Sequence, residues 1–132
     1  PYTNSDDAFK PMSLDNLLTA IGAEVTPFEY KTRCCGGSQM GTNQDMALRM
    51  VSILLRAARA SGAEMIATTC PLCQINLEAY QAKLRKDLGD DFSMPIVYFT
   101  QLMALAFGLP EKATMFGKHI EPVEPKLAAI AG

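Results

Sequence analysis

The placing of four cysteines limits this chain more than any other feature. Cys34 and Cys35 are adjacent, Cys70 and Cys73 form a C-x-x-C, and 34 residues lie between the two pairs. Each pair stands between a short apolar segment and a helical pattern. Val25, Phe28 and Tyr30 precede the first pair, and Met65, Ile66 and Ala67 precede the second. A segment–loop–helix order repeated in this way predicts parallel strands joined by right-handed crossovers. In a parallel sheet, the loops that leave strands for helices share one edge. That edge would gather both cysteine pairs at helix N-termini, whose dipoles favour thiolates.

The expected fold class is therefore α/β: three layers, a mainly parallel sheet between flanking helices, with the cysteine motifs at the C-terminal edge of the strands. A polar arm from Pro1 to Pro11 leads into a helix over Leu14–Ile21, capped by Ser13 and stopped by Gly22. Glu24–Tyr30 reads as a strand whose Pro27 points to an edge or a bulge. A helix starting at Thr42, with Asp45 three residues on, runs to about Ala60. It is apolar around most of its circumference, with Arg49, Ser52, Arg56 and Arg59 as its sustained polar stripe. Ala63–Thr69 is the next strand. The helix after it opens at Pro71, where a missing N–H costs nothing, and reaches about Leu88. It carries Cys73, Leu77, Tyr80, Leu84 and Leu88 on one stripe. Pro95–Phe99 reads as a third strand, Thr100–Gly108 as a helix and Pro110–Phe116 as a helical turn. The tail from Gly117, with Pro122 and Pro125, reads as irregular.

The 132 residues suit one domain, and 48% hydrophobic content is ample for a core. A net charge of −2 argues against nucleic acid or an anionic membrane as the main partner. The longest apolar stretch, Leu102–Leu109, is far too short to span a bilayer. No leader-like segment opens the sequence, so a reducing, cytoplasmic compartment is expected. In that setting four clustered cysteines point to a metal or redox role rather than to structural disulfides.

Four converging thiolates suit zinc, an iron–sulfur cluster or disulfide exchange. Exchange needs only two sulfurs. Adjacent cysteines chelate a single ion awkwardly because successive side chains diverge, whereas neighbouring cysteines can bind different irons of one cluster. Gly36 and Gly37 permit close backbone approach to a bulky inorganic core. Other residues carry plainer readings. His119, the only histidine, reads as a solvated loop residue. The arginine stripe reads as a solvated face. Met46, Met50, Met103 and Met115 read as core filler. Gln74 and Asn76 are placed either to donate to cluster sulfur or to cap the helix.

Cys34-Cys35-Gly36-Gly37 and Cys70-Pro71-Leu72-Cys73-Gln74-Ile75-Asn76-Leu77, with Ser13-Leu14-Asp15, Gly22-Ala23-Glu24 and Tyr98-Phe99-Thr100-Gln101-Leu102 around them, resemble the cysteine-rich CCG domain of the B-type heterodisulfide reductase polypeptide and its relatives. The resemblance covers nearly the whole chain. It implies a heterodisulfide reductase-like iron–sulfur oxidoreductase component that acts on sulfur groups. Cys34, Cys35, Cys70 and Cys73 would then hold a non-cubane [4Fe–4S] cluster, at which a disulfide is reduced or formed, or sulfane sulfur or a thiol is handled. It also implies partners: iron–sulfur and flavin subunits of a complex, a small thiol or disulfide substrate, and a second CCG domain against the apolar flank of the 42–60 helix. Members of the family carry one further cysteine upstream, which is absent here. Residues 1–132 are accordingly expected to be one CCG domain, a C-terminal fragment of a longer subunit lacking that cysteine and the first strand. Such a fragment could hold zinc or no metal. The alternatives are an electron-relay CCG subunit of an organic-acid or glycerol-phosphate dehydrogenase, and a structural zinc module.

Overall fold

A computed structural model describes residues 6–89, 93–123 and 127. The expectations for Pro1–Ser5, for Pro125 and for the last five residues lie outside that range. The chain is α/β, with a small parallel sheet and flanking helices. Its elements are α1 (Ser13–Ala20), α2 (Gln44–Ala60), β1 (Ile66–Thr68), α3 (Pro71–Ala79), α4 (Gln81–Leu88), β2 (Ile96–Tyr98), α5 (Phe99–Ala106) and α6 (Glu111–Thr114). Single 3-10 turns occupy Gly37–Gln39 and Phe116–Lys118. β1 and β2 run parallel, with Ile66 opposite Ile96 and Thr68 opposite Tyr98.

Alternate strand residues point to opposite faces. Ile66 and Ile96 join a core built from α2, α3 and α4, containing Leu48, Val51, Leu55, Leu77 and Leu84. Ala67 and Val97 pack on the other face with Leu102, Phe116 and Val123. This second cluster draws the chain after α6 back across the sheet, which is what delivers His119 to the interior.

Several expected elements changed. Ser13 does not cap α1; the Asp6 carboxylate does, accepting from Met12 N at 2.8 Å and Ser13 N at 2.8 Å. Hydrogen bonding by Ser13 and Met12 holds that carboxyl far below the usual carboxylate range. α2 is capped by Asn43, whose Oδ1 accepts from Met46 N at 3.2 Å, rather than by Thr42. The strand at Glu24–Tyr30 does not form: residues 23–28 carry no regular structure, and among the described residues the sheet has two strands. The long helix after Pro71 is two helices. It breaks at Tyr80 (φ −97°, ψ 1°). There the fully buried Gln81 side chain donates its Nε2 to Leu77 O at 3.0 Å and to Met94 O at 2.7 Å. The side-chain amide takes the carbonyl four residues back, the one a continuous helix would offer to the backbone of residue 81.

Candidate metal centre

The two cysteine loops meet. Cys70 ends the run from β1 and is the N-cap of α3, with extended backbone (φ −105°, ψ 120°). Pro71 follows at the first helical position, as its fixed φ favours. Cys73 then lies in the first turn, half-buried against the core. On the other loop Cys35 is buried, 2% exposed, within the α2–α3 core, while Cys34 beside it is exposed.

Cys73 is the hub. Its thiol neighbours the sulfurs of both Cys35 and Cys70. Burial, then the Cys35 and Cys70 sulfurs, push it up to about 12. Cys70 moves the other way: the Cys73 backbone N–H, the Cys73 thiol and the Leu72 N–H stabilise its thiolate and lower it. This is the helix N-terminus acting on an exposed sulfur. The Cys34 sulfur accepts from Gly36 N at 3.4 Å. Thus Cys35 and Cys70 each neighbour Cys73, and the two loops meet there, with Cys34 beside Cys35 in sequence. Among the described residues no three or more His, Cys, Asp or Glu side chains stand close enough together, as placed, to hold a metal ion. The donor set is all sulfur, which fits a soft, thiophilic centre such as zinc or iron–sulfur.

What joins the loops was only half legible in the sequence. Asn76 is buried, and its Nδ2 donates to the Cys35 carbonyl at 3.0 Å. It therefore fastens one cysteine loop to the other's helix. Gln74 donates to Glu78 Oε2 at 2.8 Å instead of turning to sulfur. Gly36 adopts φ +77°, and a Cβ there would stand 3.2 Å from Ala47 Cα and 2.9 Å from Met50 Sδ. A Cβ on Gly37 would meet Leu72 Cγ at 2.6 Å. The glycines thus let the first loop lie against α2 and against Leu72 of the C-x-x-C.

Behind the cysteines lies a network that sequence reasoning missed. His119 is not solvated: its side chain is 5% exposed, and its Nδ1 lies 3.0 Å from Glu78 Oε1. The same oxygen accepts from Ile120 N at 3.0 Å and Glu121 N at 3.1 Å. His119 Nε2 stands 3.0 Å from Gln101 Nε2. Gln101 Nε2 also donates to Thr114 O at 2.6 Å, and its Oε1 accepts from Tyr98 N at 2.9 Å. Glu78 is on the helix that begins with the C-x-x-C, so this network holds that helix to β2 and to the returning chain. A glutamate one turn after Gln74, in a helix of mostly apolar residues, was the available signal. The methionine reading also needs correction, since Met46 and Met115 are 51% and 55% exposed. Arg49, Arg56 and Arg59 lie on the outer side of α2, as the stripe implied.

Comparison with known proteins gives this arrangement a lineage. Residues 3–78 match the family model CCG, described as a cysteine-rich domain. The chain belongs to the cysteine-rich CCG family. This CCG chain is 34% identical over 107 residues to the 8-methylmenaquinol:fumarate reductase membrane anchor subunit of Wolinella succinogenes, covering 81% of the chain and 38% of that protein. It is 34% identical over 110 residues to a protein of Archaeoglobus profundus named as like the B-type heterodisulfide reductase polypeptide, covering 81% and 37%. The B-type polypeptide of the ferredoxin:CoB-CoM heterodisulfide reductase of Methanosarcina mazei is 30% identical over 124 residues, covering 92% and 41%. The CCG chain thus spans about two fifths of the length of these curated relatives. Among its described residues no helix is long and apolar enough to cross a membrane.

Proposed function

We propose that this chain is the redox domain of an iron–sulfur oxidoreductase that handles sulfur groups within a multi-subunit complex. The observation that carries the reading is the joining of the two cysteine loops, with Asn76 on the helix of the C-x-x-C donating its Nδ2 to the Cys35 carbonyl at 3.0 Å. The names of the relatives, two of them heterodisulfide reductase polypeptides of the B type or like it, support the chemistry. In this reading Cys34, Cys35, Cys70 and Cys73 hold a non-cubane [4Fe–4S] cluster. When bound, such a cluster would supply one-electron transfer and an iron able to hold a substrate sulfur.

The chain's own residues have separable tasks. Cys70 offers an exposed sulfur already biased to thiolate, so it needs little help to become a ligand. Cys73 holds its proton on sulfur and must release it when metal binds. Asn76 keeps the Cys35 backbone in register with α3. Leu72, 46% exposed, lies against Gly37 of the first cysteine loop and adds an apolar contact beside the site. A disulfide takes up two electrons, so cleavage needs two successive deliveries and partners to make them.

The Wolinella relative, part of a quinol:fumarate reductase by name, favours a second reading in which the domain relays electrons and no substrate sulfur binds. The test is iron and sulfide analysis with EPR on the complete gene product prepared without oxygen. Stoichiometric iron and sulfide, lost in Cys35→Ser and Cys70→Ser, are expected. Zinc without iron would overturn the reading. An EPR spectrum altered by added thiol separates sulfur chemistry from relay.

A further inference from the structure

The C-x-x-C has a polarity that metal binding does not require. Cys70 is exposed at the N-cap of α3, and Cys73, in the first turn of that helix, is half-buried against the core. Their sulfurs are neighbours. An exposed sulfur at a helix N-terminus can attack molecules in solution. A sheltered sulfur beside it meets chiefly what the first has captured.

The other two cysteines are placed differently. Cys35 is 2% exposed in the α2–α3 core, out of reach of a solute. Cys34 is exposed, but its sulfur accepts from Gly36 N of its own loop at 3.4 Å. Adjacent Cα atoms stand about 3.8 Å apart across a trans peptide, less than the roughly 4.4 Å a relaxed disulfide needs. Cys34 and Cys35 are therefore a poor pair, whereas Cys70 and Cys73 face each other across one helical turn. The loops are also joined without help from sulfur. Asn76 Nδ2 donates to the Cys35 carbonyl at 3.0 Å, and Leu72 lies against Gly37. A bond formed within the first turn of α3 leaves that joint standing.

We propose that, while no metal is bound, Cys70 and Cys73 form a thiol–disulfide switch worked by small disulfides, and that the closed pair shuts the metal site. In the first step the Cys70 thiolate attacks one sulfur of a disulfide R–S–S–R. A bond forms between the Cys70 sulfur and that sulfur, the R–S–S–R bond breaks, and RS⁻ leaves with the electron pair. In the second step Cys73 gives its proton to solvent and attacks the Cys70 sulfur. The Cys70–Cys73 bond forms, and the second RS⁻ leaves. The protein dithiol is oxidised by two electrons, and R–S–S–R is reduced to two thiols that take up the protons the cysteines gave up. Closure removes two of the four sulfurs from the donor set, and a metal needs them as thiolates. Small thiols run both steps backwards and reopen the site. Closure of a metal site rests on the reading of these cysteines as ligands; the exchange itself does not.

The test uses the complete gene product, stripped of metal by a chelator and kept without oxygen, with glutathione disulfide as the small disulfide. Peptide mapping after alkylation is expected to find Cys70 linked to Cys73, with Cys34 still alkylated. Cys73→Ser should stop the sequence at a glutathione adduct on Cys70. Cys70→Ser, which keeps a favoured N-cap side chain on α3, should leave Cys73 free. Uptake of Co(II), read by its thiolate absorption, should fall at least about tenfold on oxidation and return with dithiothreitol. Glutathione held on Cys34 with Cys70 and Cys73 free, a bond from Cys73 to Cys35, or equal Co(II) uptake in both forms would overturn the proposal. If the reduced protein takes up no Co(II), the ligand reading fails, and the mapping still decides the exchange.

Discussion

His119 Nδ1 lies 3.0 Å from Glu78 Oε1, joining two buried side chains that are 41 residues apart in the chain. Glu78 Oε1 also takes two backbone N–H groups, and its Oε2 takes the Gln74 amide. A carboxylate used so fully is a joint of the fold. Glu78→Ala strands buried donors with no acceptor and should cost about 3 kcal/mol or more. Glu78→Gln keeps an oxygen for the two backbone groups and should cost about half as much. Chemical denaturation of the two variants checks this. Equal losses would mean that the charge, and not the acceptor count, holds the joint.

Cysteine reactivity should follow the asymmetry of the C-x-x-C. In the metal-free chain Cys70 is exposed and its thiolate is stabilised, while Cys73 is half-buried and held protonated. Because its folded pKa is lowered, Cys70 should keep reacting with iodoacetamide as pH falls below about 8.5, where an ordinary cysteine slows. Cys73 should label at least tenfold more slowly at pH 7 and should catch up only after unfolding. Mass spectrometry of peptides alkylated across a pH series reads both rates.

The Asp6 cap predicts an acid-sensitive start to α1. The folded-state pKa of Asp6 is depressed, so its contribution is fully present above the unfolded carboxylate value of about 4. It declines as pH falls below that value and is gone below the folded pKa. Asp6→Ala should therefore be less stable than the parent at pH 7, with the gap closing progressively below about pH 4. Exchange of the Met12 and Ser13 amides at pH 7 should quicken in the variant.

Gly36→Ala tests the close approach of the first cysteine loop to α2. The left-handed backbone at φ +77° costs a side-chain-bearing residue about 1 kcal/mol or more. The contact with Ala47 Cα adds to it, since helix backbone cannot easily give way. A loss of about 2 kcal/mol is expected, with faster alkylation of Cys35 as its loop lifts. Gly41→Ala, where nothing lies within 4 Å of the added carbon, is the control and should be near neutral.

How much of this was readable in advance depends on whether the signal was local. Strong periodicity locates α1, α2 and α5 within about two residues of their observed bounds. The meeting of the two cysteine loops follows from the position of each pair ahead of a helix. The strand at 24–30 fails because a strand is defined by its neighbour, and the space beside Val25 and Thr26 is a cavity. The break at Tyr80 depends on Gln81 reaching Met94, thirteen residues on, which no window around Tyr80 contains. His119 escapes notice for the same reason: its partners are Glu78 and Gln101, and its own flanks of Lys118 and Ile120 resemble an ordinary loop.

The bond from Asn76 to the Cys35 carbonyl, with Leu72 seated where a Cβ of Gly37 would be, bears on how such chains recombine. Two motifs 34 residues apart share one fitted surface, so each is shaped for the other. A crossover between Gln39 and Thr69 would pair a loop from one parent with a helix shaped for another. Chimeras with a relative such as the Methanosarcina mazei protein, 30% identical, should therefore fold when the breakpoint lies before Arg33 or after Ala79, and should lose the sulfur site when it falls between them.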